Sequence, residues 1–293
     1  MAAKAGATVA VLGPGAVGGM LAVRLAQAGV DVVCVATPST AAAIASEGLS
    51  LRQGGGKLTT RPRAVTGLDE PADLLVIAVK APALEDALDR VTGSLVLPIL
   101  NGLEHMDLIR ARLAGRVAAG SVARFEAYRE SATRIVQTTP GAVLTVSSRE
   151  AAELLEPTGI DLRVVAHERT VLWEKLARLA PLAAATAATQ RPVGELRSDP
   201  EWRSRLEDAL SEACAVAAAD GVDLTPREEW EIIGAMPHEL TTSTARDVAA
   251  GRPSELDAIT GAVVRAGLRL GIPTPTLAGL LSEAEDRCQA RSR

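Results

Sequence analysis

Residues 7–18 read ATVAVLGPGAVG, a short apolar run that leads directly into a glycine-rich turn. The residues of this turn are Gly13, Pro14, Gly15, Ala16, Val17 and Gly18. An amphipathic pattern that ends at Gly29 follows the turn, and a second apolar run occupies residues 32–36. This order predicts a strand, a tight turn, a helix and another strand, the context in which a Gly-x-Gly-x-x-Gly pattern binds a dinucleotide.

The three glycines of the turn have separate physical roles. The first permits the tight turn, the second lets backbone N–H groups approach a pyrophosphate, and the third lets the helix pack close to its strand. The phosphates would then lie at the positive end of the helix, near Ala16. The alternative is a strand–helix–strand unit in which the glycines are only structural. The surrounding pattern favours nucleotide binding.

The end of the second strand indicates which dinucleotide is expected. An NAD site usually has an acidic residue there to hold the ribose 2′-hydroxyl. This chain has the hydroxyl-rich sequence TPST from Thr37, and residues 32–46 contain no acid. Since no carboxylate would repel a 2′-phosphate, we predict NADP(H) as the cofactor, with NAD(H) as the alternative. The arginine that often binds this phosphate is absent here, and the next segment contains three candidates: Arg52, Arg61 and Arg63.

Composition limits the class of protein. The chain has 293 residues, enough for two domains with their own cores. Its three cysteines form no CxxC pair, which predicts a reducing, cytoplasmic compartment. A net charge of −5 without a basic block, and only 2% aromatic residues, argue against a nucleic-acid partner. Residues 172–189 are the most apolar helical segment, but they carry charges, so no membrane span is predicted.

Apolar runs alternate with helical patterns in the first half of the chain. Residues 74–79 read LLVIAV, which predicts a strand buried on both faces of a parallel sheet, with Lys80 at its carboxyl end. Residues 94–100 predict the next buried strand, followed by Asn101. Because ligands bind beyond the carboxyl ends of such strands, we expect the glycine turn, Lys80 and Asn101 at the ligand-binding edge.

The remaining segments divide the chain into two parts. Residues 49–52 and 58–65 flank three glycines and predict a hairpin. Three later runs are predicted to complete the same sheet: 117–123, 133–138 and 143–146. From Glu168 the apolar period becomes helical and stays so, with a predicted capping box at residues 225–228. We therefore predict an α/β protein with a Rossmann-like dinucleotide-binding domain at residues 1–167 and an all-α domain at residues 168–293.

Three polar residues of the helical part stand out. On pattern alone, Lys175 is a partly exposed lysine whose stem covers apolar surface. Glu255 is predicted in the first turn of a late helix, where a carboxylate is favourable in any protein. Ser243 is most simply a helix cap or a surface hydroxyl. The histidines share no metal-ligand spacing, and no metal site is predicted: His105, His167 and His238.

These residues belong to an ordered set of motifs that spans nearly the whole chain. The set is GPGAVGG at 13–19, VKA at 79–81, LNGLE at 100–104, WEKL at 173–176, STARD at 243–247 and ELDAITG at 255–261. Each motif is loose by itself, but the ordered set resembles the ketopantoate reductase (2-dehydropantoate 2-reductase) family. The resemblance implies a Rossmann domain, a helical domain, and NADPH-dependent reduction of a 2-oxo acid in pantothenate biosynthesis.

The resemblance also implies a role for each matching residue. Lys175 would be the general acid that polarises the keto oxygen and protonates the developing alkoxide. Asn101 would bridge the nicotinamide ribose and the substrate, and Lys80 would position cofactor or substrate. Ser243 would bind the substrate carboxylate. Glu255 would accept a hydrogen bond from the distal hydroxyl of the substrate.

Four positions depart from the pattern of the best-known members. Leu179 and Ala183 occupy places where asparagines hold the substrate, one and two helical turns after Lys175, so the predicted pocket is more apolar. Thr37 replaces the arginine expected at the 2′-phosphate. Glu126 stands where a small residue near the nicotinamide is usual. These departures concern the identity of the substrate more than the class of reaction.

We predict reduction of 2-dehydropantoate, a small 2-oxo acid, by NADPH, and expect a homodimer from the apolar helical domain. One alternative is the same chemistry on a larger, more apolar ketone or imine in specialised metabolism. A second is a β-hydroxyacid or polyol-phosphate dehydrogenase of similar plan. A third is a non-catalytic NADP-binding sensor or scaffold.

Overall fold

The computed structural model describes residues 6–291, which divide into two compact units. One unit contains the chain up to Leu100 together with His105–Val171. The other contains Asn101–Glu104 together with the chain from Leu172 onwards. The short segment Asn101–Glu104 therefore belongs to the second unit although it follows a strand of the first.

Strands dominate the first unit. They are β1 (Thr8–Leu12), β2 (Asp31–Val35), β3 (Leu49–Gln53), β4 (Gly56–Thr60), β5 (Arg63–Val65), β6 (Leu74–Ile77), β7 (Leu95–Pro98), β8 (Arg116–Val117), β9 (Gly120–Ala123), β10 (Ala127–Arg129), β11 (Arg134–Gln137), β12 (Val143–Val146) and β13 (Asp161–Val164). The helices are α1 (Ala16–Gln27), α2 (Pro38–Glu47), α3 (Leu84–Leu88), α4 (His105–Arg112) and α5 (Arg149–Leu155), with 3₁₀ turns at Ala81–Ala83 and Glu156–Thr158.

A six-stranded parallel sheet forms the centre of this unit, in the order β5-β2-β1-β6-β7-β8. Successive side chains of a strand point to opposite faces, so a strand covered on both sides reads as a continuous apolar run. In β1, Val9 and Val11 pack into one hydrophobic cluster with α1, whereas Ala10 and Leu12 pack into another with α3. This parallel sheet with two covered faces confirms the predicted fold class.

The predicted hairpin at residues 49–65 is confirmed only in part. β3 and β4 pair antiparallel, but the pairing ends at Thr60. Beyond Pro62, which has no N–H to donate to a ladder, β5 leaves the hairpin and pairs in parallel with β2 of the central sheet.

The prediction that three later runs complete the central sheet is wrong. Only β8 joins that sheet. β11 pairs in parallel with β3 in a four-stranded sheet of order β10-β11-β3-β4, and β12 lies between β13 and β9 in a three-stranded sheet. The partner of β11 lies more than eighty residues earlier, with Arg134 opposite Ser50, and a local pattern carries no information about that choice.

The second unit is helical. Its helices are α6 (Glu168–Thr189, of which the first turn lies in the first unit), α7 (Val193–Ser198), α8 (Pro200–Ala219), α9 (Pro226–Gly234), α10 (Ser243–Ala249), α11 (Ala262–Leu270) and α12 (Pro275–Arg291). A π-helical turn, Asp257–Gly261, leads directly into α11. Small residues of α6 such as Ala184, fully buried, let neighbouring helices pack closely around one apolar core. No helix within residues 6–291 is long and apolar enough to cross a membrane.

One local prediction for this unit is wrong, and another is off by one residue. The capping box at residues 225–228 is not formed, because the Thr225 side chain accepts no hydrogen bond from the first turn of α9, although Pro226 does occupy its start. Glu255 lies immediately before the first helical residue, Leu256, so it is at a helix start, as predicted, but not inside the first turn. Its carbonyl accepts a hydrogen bond from the Ile259 N–H at 2.9 Å.

Candidate active site

The glycine turn of the first unit has the shape that a dinucleotide needs. Gly13 has a φ of +85°, and a Cβ there would lie 2.6 Å from Val79 Cγ1. A Cβ on Gly18 would lie 2.4 Å from the Gly13 carbonyl oxygen, so only glycine allows α1 to start this close to β1. At Gly15, by contrast, the nearest atom to an added Cβ is 4.0 Å away.

This open space lies at the amino end of α1, which begins at Ala16 and has no side-chain cap. The N–H groups of the first turn of a helix are unpaired within the helix and favour an anion. The turn could therefore hold a pyrophosphate. Pro14 and Val17 are the other side chains of this turn.

The predicted 2′-phosphate position lies after β2. Thr37 is exposed, and its hydroxyl lies 3.2 Å from Thr40 Oγ1 and 3.4 Å from Ser39 Oγ. Two of the candidate arginines are engaged elsewhere: Arg52 pairs with Glu130 at 3.3 Å, and Arg61 donates to the Ser46 carbonyl at 3.0 Å. The remaining candidate, Arg63, opens β5 beside β2.

Lys80 and Glu126, the two other predicted cofactor residues, also lie in the first unit. Lys80 is exposed and follows β6, whose carboxyl end is next to that of β1. Glu126 is half-buried in the loop between β9 and β10, where its N–H donates to Thr139 Oγ1 at 3.1 Å. Arg124, two residues before it, has a φ of +53°, a conformation that non-glycine residues rarely adopt.

Three residues meet in the second unit. The Lys175 ammonium donates to Asn101 Oδ1 at 2.8 Å, and Asn101 Nδ2 donates to Glu255 Oε2 at 3.3 Å. A side-chain amide has an acceptor at one end and donors at the other, so Asn101 serves the cation and the carboxylate at once. The three residues predicted as catalytic thus form one chain of hydrogen bonds.

Burial makes Lys175 more acidic than an ordinary lysine. The residue keeps some exposed surface, but its ammonium is enclosed, and this burial lowers the pKa of Lys175 to about 8. The Glu255 carboxylate acts in the opposite direction and raises the pKa in part. Lys175 is therefore not the ordinary surface lysine that its sequence pattern suggested. An amine with a pKa near neutrality is suited to give up a proton.

Helix α6 presents Lys175 from a rigid position. The fully buried Trp173 donates its indole N–H to Asp220 Oδ2 at 2.8 Å. Arg178, three residues after Lys175, forms an ion pair with the buried Glu229 of α9. The sequence patterns singled out neither of these contacts.

The substrate residues predicted further along the second unit lie on two helices, α6 and α10. Leu179 is half-buried on α6, and Ala183 has no exposed surface and belongs to the helical core. Ser243 is exposed at the start of α10. Its neighbour Thr242 is the helix cap, accepting from the Ala245 N–H at 3.1 Å. Of the two alternatives for Ser243, a helix cap or a surface hydroxyl, the structure supports the surface hydroxyl.

Thr242 is also anchored from the core side. Its hydroxyl lies 2.8 Å from that of Thr186 on α6, and the Thr186 hydroxyl donates to the Leu182 carbonyl at 2.6 Å. Because the Thr242 hydroxyl accepts the capping hydrogen bond of α10, this cap does not use the Ser243 hydroxyl.

One unit has a parallel sheet with a glycine turn of the dinucleotide-binding type, and the other links a lysine and a glutamate through one amide. These features are typical of the class of dinucleotide-dependent enzymes. Comparison with known proteins makes the class specific. Residues 9–150 match the family described as Ketopantoate reductase PanE/ApbA, and residues 168–286 match its C-terminal part.

Individual proteins agree with the family match. The chain is 32% identical to 2-dehydropantoate 2-reductase of Caulobacter vibrioides over 283 residues, which cover 92% of this chain and 94% of that protein. A crystal structure of a PanE/ApbA family ketopantoate reductase from Ralstonia eutropha superposes with a TM-score of 0.87 at 29% identity, covering 98% of this chain and all 100% of that one. The protein belongs to the ketopantoate reductase family and is an oxidoreductase of the 2-dehydropantoate 2-reductase type, as the ordered motifs predicted.

The same fold also occurs in an enzyme with another name. D-mandelate dehydrogenase, in a structure with NADH and anilino(oxo)acetate, superposes with a TM-score of 0.87 at 19% identity and covers 98% of this chain and 100% of that chain. At this identity the likeness concerns the fold alone. It shows that fold similarity does not identify the substrate.

Proposed function

We propose that this protein reduces 2-dehydropantoate to pantoate with NADPH, a step of pantothenate biosynthesis. The observation that carries the proposal is the bridge from Lys175 through Asn101 to Glu255. The Lys175 ammonium and the Glu255 carboxylate lie at the two ends of the Asn101 amide. A 2-oxo acid with a distal hydroxyl has a keto oxygen that would accept from the ammonium and a hydroxyl that would donate to the carboxylate.

The cofactor residues support the same reaction. When bound, NADPH supplies the hydride that adds to the keto carbon. The turn at Gly13–Gly18 would hold the pyrophosphate, and the hydroxyl-bearing segment that starts at Thr37 would face the 2′-phosphate. Lys80 and Glu126 complete the proposed cofactor set.

Lys175 is proposed as the general acid. Its ammonium would point at the keto oxygen, stabilise the negative charge that develops there, and transfer a proton to the alkoxide. The pKa of about 8 leaves Lys175 mostly protonated at pH 7 while making it a stronger acid than an ordinary lysine. Before the substrate binds, Asn101 would hold the Lys175 ammonium in place. When the substrate enters, this ammonium would turn towards the ketone oxygen.

Glu255 and Ser243 are proposed as substrate-binding residues. The Glu255 carboxylate would accept a hydrogen bond from the distal hydroxyl of the substrate. The exposed Ser243 hydroxyl, which is not used to cap its own helix, would donate to the substrate carboxylate.

A second candidate is the same hydride chemistry on a larger, more apolar 2-oxo acid, ketone or imine. The observation that favours it is the apolar side of α6 beyond Lys175, with the half-buried Leu179 and the buried Ala183. These side chains offer no hydrogen bond to a polar substrate. An aromatic or branched substituent would pack against them.

The first experiment is the steady-state rate of NADPH oxidation with 2-dehydropantoate, compared with NADH. Turnover with a preference for NADPH supports both the reaction and the cofactor assignment. Turnover only on aromatic or branched 2-oxo acids would move the proposal to the second candidate. NADPH binding without reduction of any of these compounds would refute both.

We also infer the setting in which the enzyme works. A domain boundary at residue 167, a homodimer and a cytoplasmic location are proposed. Cys34, Cys214 and Cys288 form no disulfide, which suits a reducing compartment. The 83% exposed Leu268 of α11 is an apolar side chain that a second copy could cover. Light scattering of the purified protein tests the dimer.

A further inference from the structure

Asn101 is held by the segment that it begins. Glu104 ends this segment, and Arg265 of α11 binds it with two parallel hydrogen bonds: Nε donates to Oε1 at 2.9 Å and Nη2 donates to Oε2 at 2.7 Å. The same guanidinium donates from Nη1 to Asp257 Oδ1 at 2.6 Å. One side chain therefore ties the segment of Asn101 to the π-helical turn that follows Glu255.

The backbone is shaped for this arrangement at two glycines. Gly102 has a φ of +95°, and a Cβ there would lie 2.1 Å from the Ala258 carbonyl oxygen. A Cβ on Gly261 would lie 2.8 Å from Asp257 Oδ1 and 2.9 Å from Arg265 Nη1. The first glycine lets the Asn101 segment lie directly against the π-helical turn. The second leaves room for the ion pair.

Solvent screens this cluster in part, because the Arg265, Glu104 and Asp257 side chains are 40%, 44% and 76% exposed. What the cluster does fix is geometry, because a bidentate arginine–carboxylate pair restrains orientation as well as distance. The residue whose orientation the pair restrains is Asn101, which lies three residues before Glu104 at the centre of the proposed active site.

We propose that Arg265 is a positioning residue, which acts through Glu104 and Asp257 to hold the Asn101 amide within reach of both Lys175 and Glu255. Arg265 itself contacts neither Lys175 nor Glu255. If it is removed, Asn101 loses its fixed place, and the Lys175 ammonium loses its acceptor. The kinetic part of this proposal rests on the proposed function, whereas the placement of Asn101 does not.

Arg265→Ala is the main variant, and Arg269→Ala is its matched control. Arg269 lies one turn further along α11, with its Nη1 3.8 Å from Glu104 Oε1, so its removal takes away the same charge without breaking the bidentate pair. Gly261→Ala is a second variant. The added Cβ would lie too close to the Asp257 carboxylate and the Arg265 guanidinium, so it disturbs this ion pair without removing any charge.

The first readout is the pKa of Lys175, measured by NMR on protein with labelled lysines. The chain has only four lysines, Lys4, Lys57, Lys80 and Lys175, so the signal can be assigned by substitution. In Arg265→Ala the pKa should fall below its wild-type value of about 8, because the charged form no longer has its hydrogen bond. Loss of the arginine charge alone would raise the pKa, and Arg269→Ala measures that effect.

The second readout is kcat/KM on the substrate that the wild-type enzyme reduces. Arg265→Ala should lower it by about 10- to 100-fold, since displacements of about 1 Å at a reacting centre have effects of this size. Arg269→Ala should change it by no more than about twofold. In an Asn101→Ala background, Arg265→Ala should cause no further loss.

Three results would overturn the proposal. The first is that Lys175 has the same pKa in Arg265→Ala and Gly261→Ala as it has in Arg269→Ala. The second is a kcat/KM that does not distinguish the two arginine variants. The third is an Arg265→Ala effect that persists in full when Asn101 is already absent. If the wild-type protein reduces no 2-oxo acid, the proposed function fails, and the NMR titration still decides the placement of Asn101.

Discussion

Replacing Lys175 by methionine should make the helical unit more stable, and the gain should shrink as the pH rises. Burial lowers the pKa of Lys175 to about 8 in the folded protein, against 10.5 for an ordinary lysine. Between these values the unfolded chain binds more protons than the folded one, so stability rises with pH in this window. Below pH 8 the folded protein carries the full cost of a desolvated ammonium.

The two pKa values give the size of the effect. At pH 7 the cost is about 3 kcal/mol, and at pH 9.5 it falls to about 1.4 kcal/mol, from 1.36 kcal/mol for each pKa unit. The methionine variant lacks this cost at every pH. The difference in unfolding free energy between variant and wild type should therefore decrease by about 2 kcal/mol from pH 7 to pH 9.5. Any difference in packing between the methionine and lysine side chains adds an offset that does not depend on the protonation of Lys175.

Urea unfolding followed by tryptophan fluorescence suits this comparison. The three tryptophans of the chain are Trp173, Trp202 and Trp230, all in the second unit with Lys175. Arg227→Met, at an exposed position of α9 in the same unit, serves as the control, and its stability difference should not change with pH because arginine stays charged throughout this range. A Lys175→Met difference that is the same at pH 7 and pH 9.5 would refute the reasoning.

Four further outcomes are expected. Lys175→Ala should lower kcat by roughly two to four orders of magnitude, the range for a positioned acid, while titration calorimetry still detects NADPH binding; near-normal turnover would exclude Lys175 as the acid. In wild-type enzyme kcat/KM should fall as the pH rises above about 8, because the acid loses its proton, and a profile that is flat to pH 9.5 would contradict this. Gly102→Ala should lower kcat/KM through Asn101 and cost about 1–3 kcal/mol in urea unfolding, since its φ is unsuited to alanine. Leu179→Asn should raise the ratio of activity on 2-dehydropantoate to that on an aromatic 2-oxo acid, and an unchanged ratio would remove Leu179 from the substrate pocket.

The prediction of the fold succeeded where local pattern and burial coincide. The glycine turn at Gly13 could be predicted because Gly13 and Gly18 meet steric demands within a few residues of each other. The apolar runs of β6 and β7 could be predicted because a strand covered on both faces has no polar positions. The partners of the later strands could not be predicted in this way, because β11, for example, pairs with a strand more than eighty residues earlier. Its alternation of side chains is the same whichever sheet it joins.

The site was predicted by a different route. Composition and periodicity made Lys175 an ordinary helix lysine and Glu255 a favourable charge near a helix start. Only the ordered motifs, read as a family resemblance, gave these residues roles. Arg265 went unnoticed, because an arginine on an amphipathic helix is typical of any exposed face.

The alternation of strands and helices up to β7, the glycine turn and the family could all be predicted from the chain alone, because each depends on residues that are neighbours in sequence. The protonation of Lys175 and the place of Asn101 depend instead on the folded state. The bond from Lys175 to Asn101 spans 74 residues, that from Asn101 to Glu255 spans 154, and that from Arg265 to Glu104 spans 161. Burial and charge act through space, so the lowered pKa of this lysine exists only once the folded chain has removed its ammonium from water.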